Sequence, residues 1–166
     1  MTEKLDGEMM CGVVRDGGVE LWLLGGWTEQ ARSATRWASE RAPGVLQVIA
    51  QVHESDAIAT FENIGKQSRV KVQYRETDLV LVTVRDNETA RWWAHNELLE
   101  LGRRHAVTVV RRITELEGKH LYEITAMVQE WEAREGVVVQ MNTRDSAQGQ
   151  EPLVDGAREA AEAKMV

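Results

Sequence analysis

Residues 8–24, EMMCGVVRDGGVELWLL, constrain the fold more than any other stretch. Two apolar-rich runs, 8–15 and 19–24, flank Asp16-Gly17-Gly18, and Asp-Gly and Gly-Gly supply the positive φ that a tight hairpin turn requires. A hairpin commits the chain to antiparallel sheet close to its beginning, because parallel neighbours need a much longer crossover. A helix over 28–42 follows, with Thr28 as its N-cap and Pro43-Gly44 as its stop. Its inward stripe is Ala31, Ala34, Ala38 and Ala42, a small-residue face that lets a helix lie close on a sheet.

Two more elements complete the first half, and from residue 68 the order strand, strand, helix, strand repeats. Residues 44–53 (GVLQVIAQVH) alternate in the manner of a strand, and a short amphipathic helix over 55–64 is capped by Ser55 and buried through Ile58, Phe61 and Ile64. Residues 68–75 alternate strictly, with Val70, Val72 and Tyr74 inward and Arg69, Lys71, Gln73 and Arg75 outward. The run 78–84 reads as a strand covered on both faces, Asp86 caps a helix over 87–101, and strands at 105–114 and 119–129 complete the order. The expected architecture is α+β: two ββαβ-like halves, about 8–65 and 66–131, forming antiparallel-rich sheet with helices packed on one face, ferredoxin-like in spirit. Residues 1–132 form a single domain on this reading, and 133–166, rich in Ser, Gln, Gly and then Ala and Glu, form a tail or docking arm.

At 166 residues the chain can bury roughly 70% of its unfolded surface without staples. One cysteine, a polar N-terminal decapeptide and no apolar run near 18 residues predict a cytoplasmic protein without a membrane anchor. A net charge of −7 argues against duplex-DNA binding, which needs a concentrated basic surface. The charge is uneven, since 66–75 and 103–112 each carry four positive residues and no acid.

Motifs for chemistry are sparse. Gly25-Gly26-Trp27-Thr28 lacks the Lys and Ser/Thr of a phosphate loop and the Gly-x-Gly-x-x-Gly of a dinucleotide site, so it reads as a strand-to-helix corner. The four histidines show no paired metal spacing, Cys11 lies in an apolar strand, and neither metal nor cofactor is expected. Six tryptophans against two tyrosines and one phenylalanine are the sharper feature. On the helix expected at 87–101, Trp92 and Leu99 point away from the inward face, and Trp37 lies off the alanine stripe of the first helix.

These observations favour a non-catalytic assembly protein that binds itself or another protein through Trp92, Leu99 and Trp37. The alternative is a small-molecule-binding module or enzyme, with His95, Glu97 and His105 around a cleft. A further alternative is single-stranded nucleic-acid binding through Arg69, Lys71, Arg75, Arg111 and Arg112, with nucleic acid ranked as an unlikely partner.

Overall fold

The structure is a computed structural model and describes residues 1–65, 72, 74–131 and 136–139. The hairpin forms as expected: β2 (Glu8–Arg15) and β3 (Gly18–Leu23) pair antiparallel, with Arg15 opposite Gly18. Asp16 and Gly17 both hold positive φ, the signature of a two-residue primed turn. The first helix, α1 (Glu29–Arg41), also matches; the Thr28 hydroxyl accepts the Ala31 N–H at 3.2 Å, and Ala31, Ala34 and Ala38 are buried. Thr28→Ala is expected to cost about 1 kcal/mol by exposing one orphan donor, read as a lower urea midpoint at unchanged slope.

The following two elements exchange types. Residues expected as strand form α2 (Pro43–Glu54), and those expected as helix form β4 (Ala57–Ile64). Val45, Val48, Ile49 and Val52 are the buried set, a spacing of three, four and seven that belongs to a helix; β-branched side chains at alternate places imitate a strand. Pro43 occupies the first helical turn, where its missing N–H is no loss, so it starts α2. Asp56, in the left-handed region, then ends the helix and reverses the chain into β4.

A second correction concerns residues 87–101. After β5 (Asp78–Asp86), Asp86 accepts the Thr89 N–H and hydroxyl, each at 2.7 Å, so it caps a turn and not a helix; these bonds hold its carboxyl below the ordinary range. The chain turns back, with the Asp86 N–H donating to the Arg91 carbonyl and the Trp93 N–H to the Val84 carbonyl, and α3 begins only at His95 (His95–His105). The strand expected at 119–129 is also a helix, α4 (Leu121–Gln129), preceded by a 3₁₀ turn at Thr114–Leu116. Of the strand expected at 68–75, only Val72, Tyr74 and Arg75 lie within the described residues.

The result is α+β, as expected in class, but in two sheets. The larger is antiparallel in the order β3-β2-β4-β5. Its inner face, with Met10, Leu21, Phe61, Leu79 and Leu81, packs against α1, α2 and α3 to form the main core. The smaller sheet pairs β1 (Thr2–Lys4) with β6 (Gly136–Val138), which joins part of the segment expected as tail to the first strand. No described helix is long and apolar enough to cross a membrane.

Candidate active site

The two sheets are stitched by one extended segment. Residues 108–110 run along the edge of β5, with the Leu81 N–H donating to the Thr108 carbonyl at 2.8 Å and the Val110 N–H to the Leu81 carbonyl at 2.9 Å. Residues 111–113 continue along the edge of β1, where the Glu3 N–H donates to the Arg111 carbonyl at 2.9 Å and the Ile113 N–H to the Met1 carbonyl at 3.1 Å. Lys4 ends β1, and Leu5-Asp6-Gly7 carries the chain from the small sheet to β2, an inner strand of the large one.

Each residue of that crossing is held differently. Asp6 is 1% exposed. Its carboxylate accepts the Val72 N–H at 2.7 Å, and its own N–H donates to the Tyr74 hydroxyl at 3.0 Å. One bond to the side chain and one to the backbone thus lock the turn from both sides. Leu5 and Tyr74 pack beneath it against Ile64, Val80 and Val110. Gly7 passes so close to the Asn63 carbonyl that any Cβ there would overlap it. Lys4 is an exposed residue at the end of β1, opposite Gly136 in the ladder.

The adjoining surface is the outer face of the large sheet. Met9, Glu62 and Val80 lie opposite one another in register, and Cys11, Thr60 and Thr83 form the next rank. Since side chains alternate along a strand, the buried Phe61 faces the helices and Glu62 faces the other way. The Glu62 Cγ lies beside Gly7, 3.1 Å from where a Cβ would stand, so this side chain adjoins the crossing that follows Lys4 in the chain.

The residues singled out from sequence lie elsewhere. His95 and His105 occupy the two ends of α3, about 15 Å apart at 1.5 Å per residue. His105 bonds Gln47 at 3.2 Å and Gln51 at 2.7 Å, while Glu97 accepts the Ala94 N–H and pairs loosely with Arg91. The three therefore do not converge on one cleft. Trp92 precedes α3, stacks with the Arg85 guanidinium at 5.6 Å and shares no helix with Leu99. Trp37 packs against the main core and borders a 710 Å³ groove together with Arg41, Tyr74, Arg75 and His105. Arg111 and Arg112 are exposed and pair with Glu115 and Glu117, whereas Arg69 and Lys71 lie outside the described residues.

His95 carries a testable consequence. Its Nδ1 is buried without a partner, and burial first, then Arg112 and the N-terminal ammonium, lower its pKa from the ordinary value. A depressed imidazole binds fewer protons folded than unfolded, so its contribution is complete above about pH 6.5 and declines as the pH falls below it. Thermal midpoints measured from pH 8 to 5 should fall more steeply for the wild type than for His95→Phe.

The sequence reading did not single out Lys4, Asp6 or Glu62, which the fold brings to this crossing. The available signal was Lys4-Leu5-Asp6-Gly7, an acid and a glycine directly before the first hairpin strand, which reads as ordinary surface charge if only composition is considered.

A family model described as RNA ligase matches residues 1–153. A Thermovibrio ammonificans protein, provisionally named an RNA ligase, is 28% identical over 105 residues, covering 61% of this chain and 28% of that protein. The Naegleria gruberi RNA ligase shares the fold: a lysine-substituted form with ATP and manganese and a form with pyrophosphate each give a TM-score of 0.58 at 22% identity, covering 76% of this chain and 40% of theirs. A glutamate-substituted form with AMP and manganese gives 0.58 at 23% over the same shares. The chain thus spans less than half the length of these relatives. The family match overturns the expectation of a non-catalytic assembly protein and the ranking of nucleic acid as an unlikely partner.

Proposed function

Because the chain belongs to the RNA ligase family, we propose that it carries the nucleotide-transfer centre of an ATP-dependent RNA ligase, with Lys4 as the nucleophile. The observation that carries this reading is the crossing Lys4-Leu5-Asp6-Gly7: an exposed lysine at the end of β1, followed by a turn whose acid is buried and bonded and whose glycine admits no side chain. Such a turn presents one reactive group from a rigid base.

The similar structures support the chemistry. The Naegleria ligase is solved with ATP, with AMP and with pyrophosphate, and the last two are the halves of ATP divided between its α- and β-phosphates. Solved variants of that ligase substitute a lysine and, separately, the aspartate two positions later, the spacing of Lys4 and Asp6. In the proposed step the unprotonated Lys4 Nζ attacks the α-phosphorus, an N–P bond forms, and the bond to the β-phosphate oxygen breaks. Pyrophosphate leaves with the electron pair, and the Nζ proton passes to solvent. The adenylyl group then moves to an RNA 5′-phosphate, which gives that phosphate a leaving group for attack by a 3′-hydroxyl.

Asp6 acts as a positioning residue, holding the crossing through the Val72 N–H. A divalent ion brought in with the nucleotide phosphates would take Glu62, which adjoins the crossing, as its protein carboxylate. Such an ion would offset charge on the phosphates.

Incubation with ATP labelled at the α- or the γ-phosphate tests the reading. The α-label should stay on the protein through denaturation and the γ-label should leave. Retention of γ-label, or of neither, would contradict it.

A further inference from the structure

The loop that follows the hairpin brings two tryptophans together. Trp22 lies opposite Cys11 in the ladder, and its neighbour Leu21 is fully buried toward the helices, so Trp22 stands on the outer face of the large sheet, the same face as Glu62. Gly26, at φ 98°, donates its N–H to the Leu23 carbonyl at 2.8 Å and folds the chain back. That reversal sets Trp27 beside Trp22, with ring centroids 6.0 Å apart and planes inclined at 32°. The Trp22 indole N–H donates to Glu20 at 2.8 Å, which fixes the ring's orientation. Neither ring belongs to the main core, both are only half-buried, and the adjoining Leu24 is 85% exposed.

We propose that Trp22 and Trp27 form a stacking platform for an unpaired base of the RNA substrate, a proposal that rests on the RNA ligase reading of the same sheet face. Three observations point to that occupant. Indole rings offer a π-face to any base, so the platform needs no sequence and suits a ligase strand end. The hydrogen bond from Trp22 to Glu20 orients the ring before anything binds, which lowers the ordering cost of stacking. The face is continuous with the proposed centre. By ladder geometry Trp22 is two strands across and two residues along from Glu62, about 12 Å, a span that a few nucleotides cover. The Gly25-Gly26 corner thus serves to return Trp27 onto the sheet.

The test separates RNA binding from nucleotide transfer. Affinity for a labelled single-stranded RNA oligonucleotide is measured for wild type, Trp22→Ala, Trp27→Ala and the ring-preserving Trp22→Phe and Trp27→Phe, alongside self-adenylation from ATP without RNA. The alanine variants should bind the oligonucleotide about tenfold more weakly, the phenylalanine variants should recover most of the loss, and self-adenylation should be unchanged in all four. Wild-type tryptophan fluorescence should also be quenched on adding the oligonucleotide, a readout that needs no variant to fold. Unchanged oligonucleotide affinity in the alanine variants, or absent quenching, overturns the platform. A loss of self-adenylation in these variants also overturns it, assigning the rings to the nucleotide. Absent self-adenylation in the wild type counts against the Lys4 reading alone, because oligonucleotide binding is read independently.

Discussion

Lys4→Ala should lower the rate of adenylyl-protein formation by roughly 10⁴-fold or more, the scale of losing a covalent nucleophile. The fold should hardly notice, because Lys4 is exposed at the end of a three-residue strand and surface substitutions usually stay within about 0.5 kcal/mol. Lys4→Arg is the sharper variant. It preserves charge and length, so a purely electrostatic role in holding phosphates would survive it, but a guanidinium is always protonated and cannot attack phosphorus. Loss of the adenylyl adduct in both variants, with an unfolding midpoint near that of the wild type, is the expected result; intact-mass spectra after incubation with ATP check it. Adduct formation by Lys4→Arg would move the nucleophile elsewhere.

The second large effect separates two adjacent residues. Phe61 is fully buried at the middle of the main core, against the helices and between Met10 and Leu81 in the ladder. Phe61→Ala removes the chain's only phenylalanine and leaves a cavity, a change that typically costs about 3–5 kcal/mol. For a fold of ordinary, marginal stability that is a large fraction of the total. Glu62 points to the opposite face, so Glu62→Ala should lower the unfolding free energy by about 1 kcal/mol or less yet slow adenylyl transfer about 10²-fold, through loss of the carboxylate adjoining the proposed centre. Paired denaturation and adenylation measurements check both. If the two variants showed equal stability losses, the register of β4 described here would be incorrect.

How much of this was legible in the sequence depended on whether the signal was local. The hairpin turn at Asp16-Gly17 and the Thr28 cap are set by chemistry within a few residues, and both appear where the sequence places them. The stretch 44–64 inverted because Val45, Val48, Ile49 and Val52 fit a helical stripe while the same β-branched residues also suit a strand; packing against β2 and α3, distant in sequence, and against the adjoining β4 decides between them. Asp86 was a sound cap, but it served a turn, because the chain returns to pair Trp92 with Arg85 before any helix starts. The site was legible only in part. Lys4, Asp6 and Gly7 are adjacent in the chain, yet that Asp6 is buried depends on Val72 and Tyr74, and that Glu62 belongs beside them depends on the register of β2 with β4. The Trp22–Trp27 contact needed the reversal at Gly26, which no periodicity records.

The most direct measurement is peptide mapping of the protein after incubation with ATP, under neutral conditions that preserve an N–P bond. One adenylyl group on Lys4, in the peptide containing Lys4-Leu5-Asp6-Gly7, is the result expected. An adenylyl group on another lysine or on the N-terminal amine, with Lys4 unmodified, would contradict the assignment of this seam as the nucleotide-transfer centre.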